Sequence, residues 1–447
     1  MRRPQEATTD DYLTRLARFA AETPGADIPA DVRQRACLIL ADCVGCMIGG
    51  AGAAEVRRMA ARHDSNGPAT APGLPGGYAP EAAAYVGGTA GVWHDLDEGN
   101  LHTRTHAAIQ IAPALLAASE AGGRTGAAAV DAFVMGYEAA SRLWRAARIR
   151  LAVHPHGVTG PLAAAVALAR LRGDDADRMR TVMNIAMTLG LAASRQALAD
   201  GATVRNVYCG HSGRAAFEAL ALADVGIAGE RDAPASILGG IYGDGFDPES
   251  AGEGLGALWL MRKSYFKRHP SGRYIHGALD ALEELIARLG PARDPDRVAR
   301  IDVRTYFMAT TMGRQDPDSP FGLRFSLPAA LAARLVLGPR PLVDDGAAAF
   351  GDARVRALAR RIFVTEDAAA TAAYPDLQPT ALVVSFADGR AETASIDRML
   401  GESDRPFPAG VLARKFHELA APALGEAAAA RAYDAILRLD ACDDVAA

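Results

Sequence analysis

Leu382-Val-Val-Ser-Phe386, Ala387-Asp-Gly-Arg390 and, after Ala391, Glu392-Thr-Ala-Ser-Ile396 form the stretch whose reading decides the fold. Apolar and polar side chains alternate on both sides of an Asp-Gly dipeptide, the pattern of two strands joined by a tight turn. Elsewhere the apolar segments of this chain mostly recur every three or four residues, which is helical periodicity. The hairpin therefore marks a separate unit set into a helical chain.

Working outward, Arg300 to Phe307 alternates Ile301, Val303, Thr305 and Phe307 on one side, and Arg361 to Val364 reads as a further strand. His276 to Leu289 and Ser326 to Leu337 read as helices, completing an α+β unit. Towards the N-terminus, helical spacing recurs in Glu81–Trp93, Ile109–Ala121, Ala127–Ala147, Pro161–Leu171, Arg178–Leu191 and Gly213–Ala228. Thr9 is placed to cap a first helix with Tyr12, Leu13, Leu16, Phe19 and Ala20 on its apolar face. A second helix starts after Pro29 and stops at Gly49-Gly50. The first 260 or so residues read as all-helical, and from Phe407 the helical pattern returns through Leu412, Phe416 and Leu419. The expected fold is mainly α: residues 1–266 and 400–447 build a large helical domain from both chain ends, and 267–399 form an inserted, smaller α+β lid.

Composition narrows the function classes. Half of the 447 residues are apolar, 23% are charged, and the net charge of -5 is small with both signs interspersed. That pattern carries no electrostatic footprint for nucleic acid or an anionic membrane. The polar N-terminus lacks a signal core, and the apolar run Ala36–Ile48 is too short to span a bilayer and carries Asp42. Five unevenly spread cysteines fit a reducing, cytoplasmic setting, and Cys43-x-x-Cys46 reads as two small core residues on a helix.

The chemistry concentrates in four polar stretches. Trp93-His-Asp-Leu-Asp-Glu-Gly-Asn-Leu-His-Thr-Arg-Thr-His106 packs three histidines, three carboxylates and an arginine between two alanine-rich apolar segments. Burying such a cluster is costly without a purpose. The others are His154-Pro-His156-Gly-Val-Thr-Gly-Pro161, Asp200 to Gly213 with Arg205 and Tyr208, and Phe266-Lys-Arg-His-Pro-Ser-Gly-Arg-Tyr-Ile-His276. Imidazoles, guanidinium groups and carboxylates converging on an interdomain cleft suit acid/base chemistry on a small anion. His102, His106 and Asp97 have metal-ligand types, but Arg104 between the histidines puts a cation beside them, so no metal is expected.

The order of these stretches, with Phe266-Lys-Arg-His-Pro270 and Arg324-Phe-Ser-Leu-Pro328, resembles the MmgE/PrpD family of 2-methylcitrate dehydratase, cis-aconitate decarboxylase and iminodisuccinate epimerase. The resemblance spans essentially the whole chain. It implies a helical body with an α+β lid, a homodimer, and catalysis without metal or organic cofactor. Carried over residue by residue, it makes Asp97, in His94-Asp-Leu-Asp97, the active-site aspartate, and His106, His154 and His276 the catalytic histidines. It sets Lys267 at the family's lid-junction lysine and Arg205 where the family has a lysine. Gly99 and Asn100 replace the usual aspartate pair. An arginine anchors a carboxylate but cannot shuttle a proton.

On this reading Arg205, Lys267 and Arg273 hold the carboxylates of a small polycarboxylate substrate while the histidines and Asp97 move protons. The expected activity is that of a cofactor-independent lyase, dehydratase or decarboxylase. An isomerase or epimerase of an amino- or imino-dicarboxylate is the alternative, and a catalytically silent binding protein is a third. His94 is expected to be structural, and His156 is open between pocket wall and surface.

Overall fold

The computed structural model describes residues 11–290 and 294–446 and is mainly helical. Thr9 lies outside the described residues; the first helix, Tyr12–Glu22, is capped by the Asp11 carboxylate, which accepts from the Thr14 amide. The predicted helical segments are observed as Pro80–Gly91, Ala107–Ala121, Gly126–Ala146, Gly160–Arg172, Ala176–Thr188 and Val207–Asp224. Small residues let these helices approach closely. Gly88 lies so near its neighbour that a Cβ there would stand 2.9 Å from the Cys209 carbonyl, and one on Gly210 would stand 2.2 Å from the Tyr85 carbonyl oxygen.

The second helix, Ala30–Ala51, runs through the centre of this body. At 22 residues it is long and apolar enough to cross a bilayer, yet 78% of its most apolar window is buried inside the protein, where Asp42 meets Lys415. Lys415 belongs to Val411–Leu424, and this helix with Glu426–Leu437 packs on Ala30–Ala51. One apolar core thus takes in Leu13, Ile39, Phe133 and Val166 together with Phe416 and Ala420 from the far end of the chain.

The all-helical reading of the first 260 residues needs one correction. Ala147–Ile149 (β1) pairs antiparallel with Gly243–Phe246 (β2), a strand too short and glycine-rich to show an alternating pattern.

A second apolar core gathers Leu282, Ile301, Leu331, Leu358, Ile362 and Leu382 around a four-stranded sheet. Its strands are Val298–Thr305 (β3), Ile362–Glu366 (β4), Thr380–Phe386 (β5) and Ala391–Ile396 (β6), in the order β4-β3-β5-β6. The hairpin pairs antiparallel from Thr380 opposite Ile396 to Ser385 opposite Ala391. Thr380, Leu382, Val384 and Phe386 are buried, the period expected of a strand with one face on a core. β3 and β4 run parallel, so the chain between them crosses over through Leu327–Leu337 and Ala353–Ala359. His276–Leu289 packs against β5 and β6.

The stretch from Trp93 to His106 straddles both cores. Val92 sinks into the first, Leu101 and Tyr265 into the second, and Leu96 packs with Cys46 and Leu419 between them. Gly99 and Tyr265 exchange backbone hydrogen bonds of 3.3 and 2.7 Å, stitching the loop to the chain that leads into the sheet unit. The polar cluster is therefore held where the two cores meet.

Candidate active site

Asp97 is the hub. It is fully buried, and its Oδ2 lies 3.0 Å from His106 Nδ1 and 3.7 Å from His156 Nε2, while Lys267 Nζ stands 3.8 Å from Oδ1. Asp95 turns the chain in a left-handed conformation, φ 53°, which brings both its carbonyl and its carboxylate to bear. Lys267 donates to the Asp95 carbonyl at 3.0 Å and lies 3.2 Å from its Oδ2, and Arg205 Nη2 meets Oδ1 at 2.6 Å. Burial alone would raise both carboxyls, but Lys267, assisted by His106 at Asp97 and by Arg205 at both, holds them below the ordinary carboxylate range. Two carboxylates thus stay ionised in a closed site.

The histidines differ in which nitrogen is free. His106 Nδ1 is 2.7 Å from the Glu98 carbonyl, an oxygen that can only accept, so the proton of the neutral ring sits on Nδ1 and Nε2 carries the lone pair. His154 is the reverse: its Nδ1 accepts the His156 amide at 3.0 Å, so its neutral ring presents Nε2–H. Burial, followed by the nearby Arg205, pushes His154 and His156 well below the usual imidazole range, leaving both neutral. The His106 and His156 rings meet edge to face at 4.6 Å, and His156 and His154 at 4.8 Å. Neither ring nitrogen of the fully buried His156 has a hydrogen-bond partner. His156 is thus part of the cluster, a placement the sequence left open; its signal was the His-Pro-His spacing.

Glu98 faces away from this group. Its Oε1 accepts from the Tyr137 hydroxyl at 2.7 Å, and burial pushes its carboxyl up to about 8. Lys415 Nζ joins Asp42 Oδ1 at 2.5 Å and the Leu96 carbonyl at 2.7 Å, so the helix Val411–Leu424 grips the loop next to Asp97.

The structure thus brings together Asp97, His106, His154, Arg205 and Lys267. Arg273 and His276 form another group. Arg273 grips Glu402 Oε1 through Nε at 3.1 Å and Nη2 at 2.6 Å, and its Nη1 donates to His276 Nδ1 at 3.1 Å. His276 Nε2 meets the Ser271 carbonyl at 3.3 Å, so in this conformation both of its ring nitrogens are engaged. Arg205, Lys267 and Arg273 all hold internal acids rather than standing free. His94 takes the structural place expected of it, with Arg324 donating to its carbonyl at 3.1 Å.

Thr159 stands at the start of Gly160–Arg172 but makes no side-chain cap. His102 leaves the cluster and sits 3.8 Å from Asp376 Oδ1. The donor atoms of Asp97, His106 and His156 lie within 4.8 Å of one another, a carboxylate and two imidazoles of metal-ligand type. They fit a divalent ion poorly, because the Lys267 ammonium lies against Asp97 and already answers its charge.

Two clefts reach the neighbourhood of the cluster. Tyr208, whose ring edges against His154 at 6.0 Å, lines one together with Leu191 and Arg214. Arg195, one residue beyond the bridge between Val153 and Ser194, lines another with Leu198, Arg314 and Phe325.

Comparison with known proteins gives the context. A cis-aconitate decarboxylase-like protein, oryM, of Aspergillus oryzae is 28% identical over 306 residues, 63% of either chain. The chain is thus matched over slightly less than two thirds of that relative. Cis-aconitate decarboxylase of Aspergillus terreus is 24% identical over 465 aligned positions, covering 96% of this chain and 93% of the relative. Residues 14–243 match the MmgE/PrpD N-terminal domain and 269–441 the MmgE/PrpD C-terminal domain, so the chain belongs to the MmgE/PrpD family.

Proposed function

We propose that this protein is a cofactor-independent lyase, of the dehydratase or decarboxylase type, acting on a small di- or tricarboxylate. The relatives named cis-aconitate decarboxylase support the reaction class. The observation that carries the chemistry is the complementary pair of imidazoles, His106 with a free Nε2 lone pair and His154 with a free Nε2–H, beside one ionised carboxylate. His106 accepts the proton while His154 offers a hydrogen bond to the developing charge, without either leaving the bond it now makes. Asp97 stabilises the imidazolium that forms on His106.

In a dehydration, His106 Nε2 takes the proton on the carbon α to a substrate carboxylate and, as the imidazolium, passes it to the β-hydroxyl, which leaves as water while the neutral His154 Nε2–H hydrogen-bonds the departing oxygen. In a decarboxylation, the carbon–carboxylate bond breaks and protonated His106 delivers a proton to the resulting carbanion. Arg205 and Lys267 hold the substrate when one of its carboxylates takes over bonds they now make to Asp95. Residues 267–399 act as the lid on a body formed by 1–266 and 400–447, with Arg273 and His276 at their junction, and the working unit is a homodimer.

The test is turnover of cis-aconitate, methylcitrate, citrate and tartrate by purified protein, with and without chelator, followed by absorbance of the unsaturated acid and by released carbon dioxide. Chelator-insensitive activity that falls roughly 100-fold or more in His106→Ala is expected. Full turnover in both His106→Ala and His154→Ala sinks the proposal.

A second reading draws on the three imidazoles gathered beside Asp97, proton carriers that would also serve a reaction without a leaving group. It makes the protein an epimerase of an amino- or imino-dicarboxylate. Solvent deuterium entering unconsumed substrate supports that reading over the lyase.

A further inference from the structure

The unit built on the four-stranded sheet carries a cavity of about 290 Å³, large enough for a small organic acid or phosphate but not for a nucleotide cofactor. Four arginines, Arg268, Arg324, Arg334 and Arg340, stand in its wall with one carboxylate, Glu283. Two of these cations are already matched: Arg334 forms a fork with Glu283 at 2.5 and 2.7 Å, and Arg340 lies 2.8 Å from Asp344.

The other two are not. Arg324 is only 5% exposed, and its bonds go to the carbonyls of His94, Pro270 and Asp344 and to His94 Nδ1. Among the described residues it forms no ion pair with a carboxylate. The acids whose fields reach it are Asp95, which Arg205 and Lys267 hold, and Asp344 and Asp345. Burying a guanidinium without a counter-ion is costly. Arg268 is exposed on the same wall and likewise has no ion-pair partner among the described residues. Ser271, which lines the same cavity, carries a buried hydroxyl with no hydrogen-bond partner. An exposed guanidinium, a buried one whose terminal nitrogens meet only neutral acceptors, and an unsatisfied hydroxyl on one concave wall form a recognition set for an oxyanion.

We infer that this cavity is a second anion site, separate from the Asp97 cluster, and that it takes a small dianion whose carboxylate or phosphate oxygens bridge Arg268 and Arg324 next to the Ser271 hydroxyl. The ligand would also touch the loop of the candidate active site, because the guanidinium it grips is the one that holds the carbonyl and ring of His94. The inference stands without the proposed reaction, since binding is read without turnover.

The experiment is calorimetric titration of the full chain with inorganic phosphate and, separately, with succinate at matched ionic strength. The titrations are repeated on Arg268→Ala, Arg324→Gln and His106→Ala. At least one bound anion per chain is expected, and the one at this cavity has its affinity lowered about tenfold or more in Arg268→Ala and in Arg324→Gln and retained in His106→Ala. Tighter binding of phosphate makes the natural ligand a phosphorylated compound; tighter binding of succinate makes it a dicarboxylate. Should Arg324→Gln fail to fold, Arg268→Ala decides alone, because the Arg268 side chain lies on the surface. No heat with either anion, or binding lost in His106→Ala and unchanged in Arg268→Ala, overturns the inference.

Discussion

Asn100 and Gly99 stand where the family pattern has two aspartates, and the neighbours of each explain the difference. Asn100 Nδ2 donates to the Leu260 carbonyl at 2.9 Å, while its Oδ1 accepts from the amides of His102 and Thr103 at 3.1 and 3.2 Å. An aspartate keeps the second role and loses the first. Asn100→Asp is expected to lower stability by about 1–3 kcal/mol in chemical denaturation, the cost of a buried acceptor left without its donor. At Gly99 a Cβ would lie 2.4 Å from the Tyr265 hydroxyl and 2.9 Å from His106 Cε1, so a larger residue would push the imidazole from its place. Glu98 makes a prediction about pH. Its carboxyl, pushed by burial from 4.5 to about 8, binds a proton in the folded chain that the unfolded chain has already released. Its contribution is fully present below about 4.5 and is lost as pH rises through about 8, with a slope of at most roughly 1.4 kcal/mol per pH unit. Unfolding free energy measured between pH 5 and 8 should fall less steeply in Glu98→Gln than in the parent protein; equal slopes would show that Glu98 is ionised in the fold.

Among the elements, the helix Val411–Leu424 matters to the site although it supplies none of the cluster's own side chains. Lys415, 5% exposed, neutralises Asp42 on the central helix and donates to the Leu96 carbonyl, one residue from Asp97. Removing the ammonium leaves a buried carboxylate alone. Lys415→Met is therefore expected to cost about 3–5 kcal/mol in urea unfolding, and Asp42→Asn/Lys415→Met less than that, because the double variant removes both charges. A double variant no more stable than the single one would refute the pairing. The crossing of Pro80–Gly91 over Val207–Asp224 is a second element-scale dependence, with glycine on both sides of the contact. Gly88→Leu should lower the melting temperature sharply, whereas substitution at Gly123, which has nothing within 4 Å of its Cβ direction, should act only through its left-handed backbone.

At the scale of the whole molecule, the Arg273–Glu402 pair ties the two crossings of the chain between its cores. Arg273 lies just after the chain enters the sheet unit and Glu402 just after it returns, and the guanidinium also reaches the carbonyls of Phe266 and Leu400. Arg273→Ala strands the buried Glu402 carboxylate at that seam. Hydrogen exchange should rise first around 266–276 and 400–405, with the interiors of the two cores still protected. Uniform loss of protection would mean that the seam and the cores unfold as one unit.

Local pattern was enough to write down the helices, the hairpin and the return of the helical pattern near the C-terminus, because periodicities of two and of three to four reflect burial on one face whatever the partner. It was enough, too, to mark the four polar stretches, while the choice of Asp97, His106, His154, Arg205 and Lys267 within them came from the resemblance to the MmgE/PrpD family. Which nitrogen of each imidazole is free, the grip of Lys415 on Leu96, the inclusion of His156 and the withdrawal of Arg273 and His276 to Glu402 and Ser271 came only from the folded chain. Each depends on atoms brought within hydrogen-bonding distance by residues far apart in sequence, and no spacing along the chain encodes a direction in space. The short β1–β2 pair was hidden for the same reason: its strands are held by partners about a hundred residues away rather than by a pattern of their own.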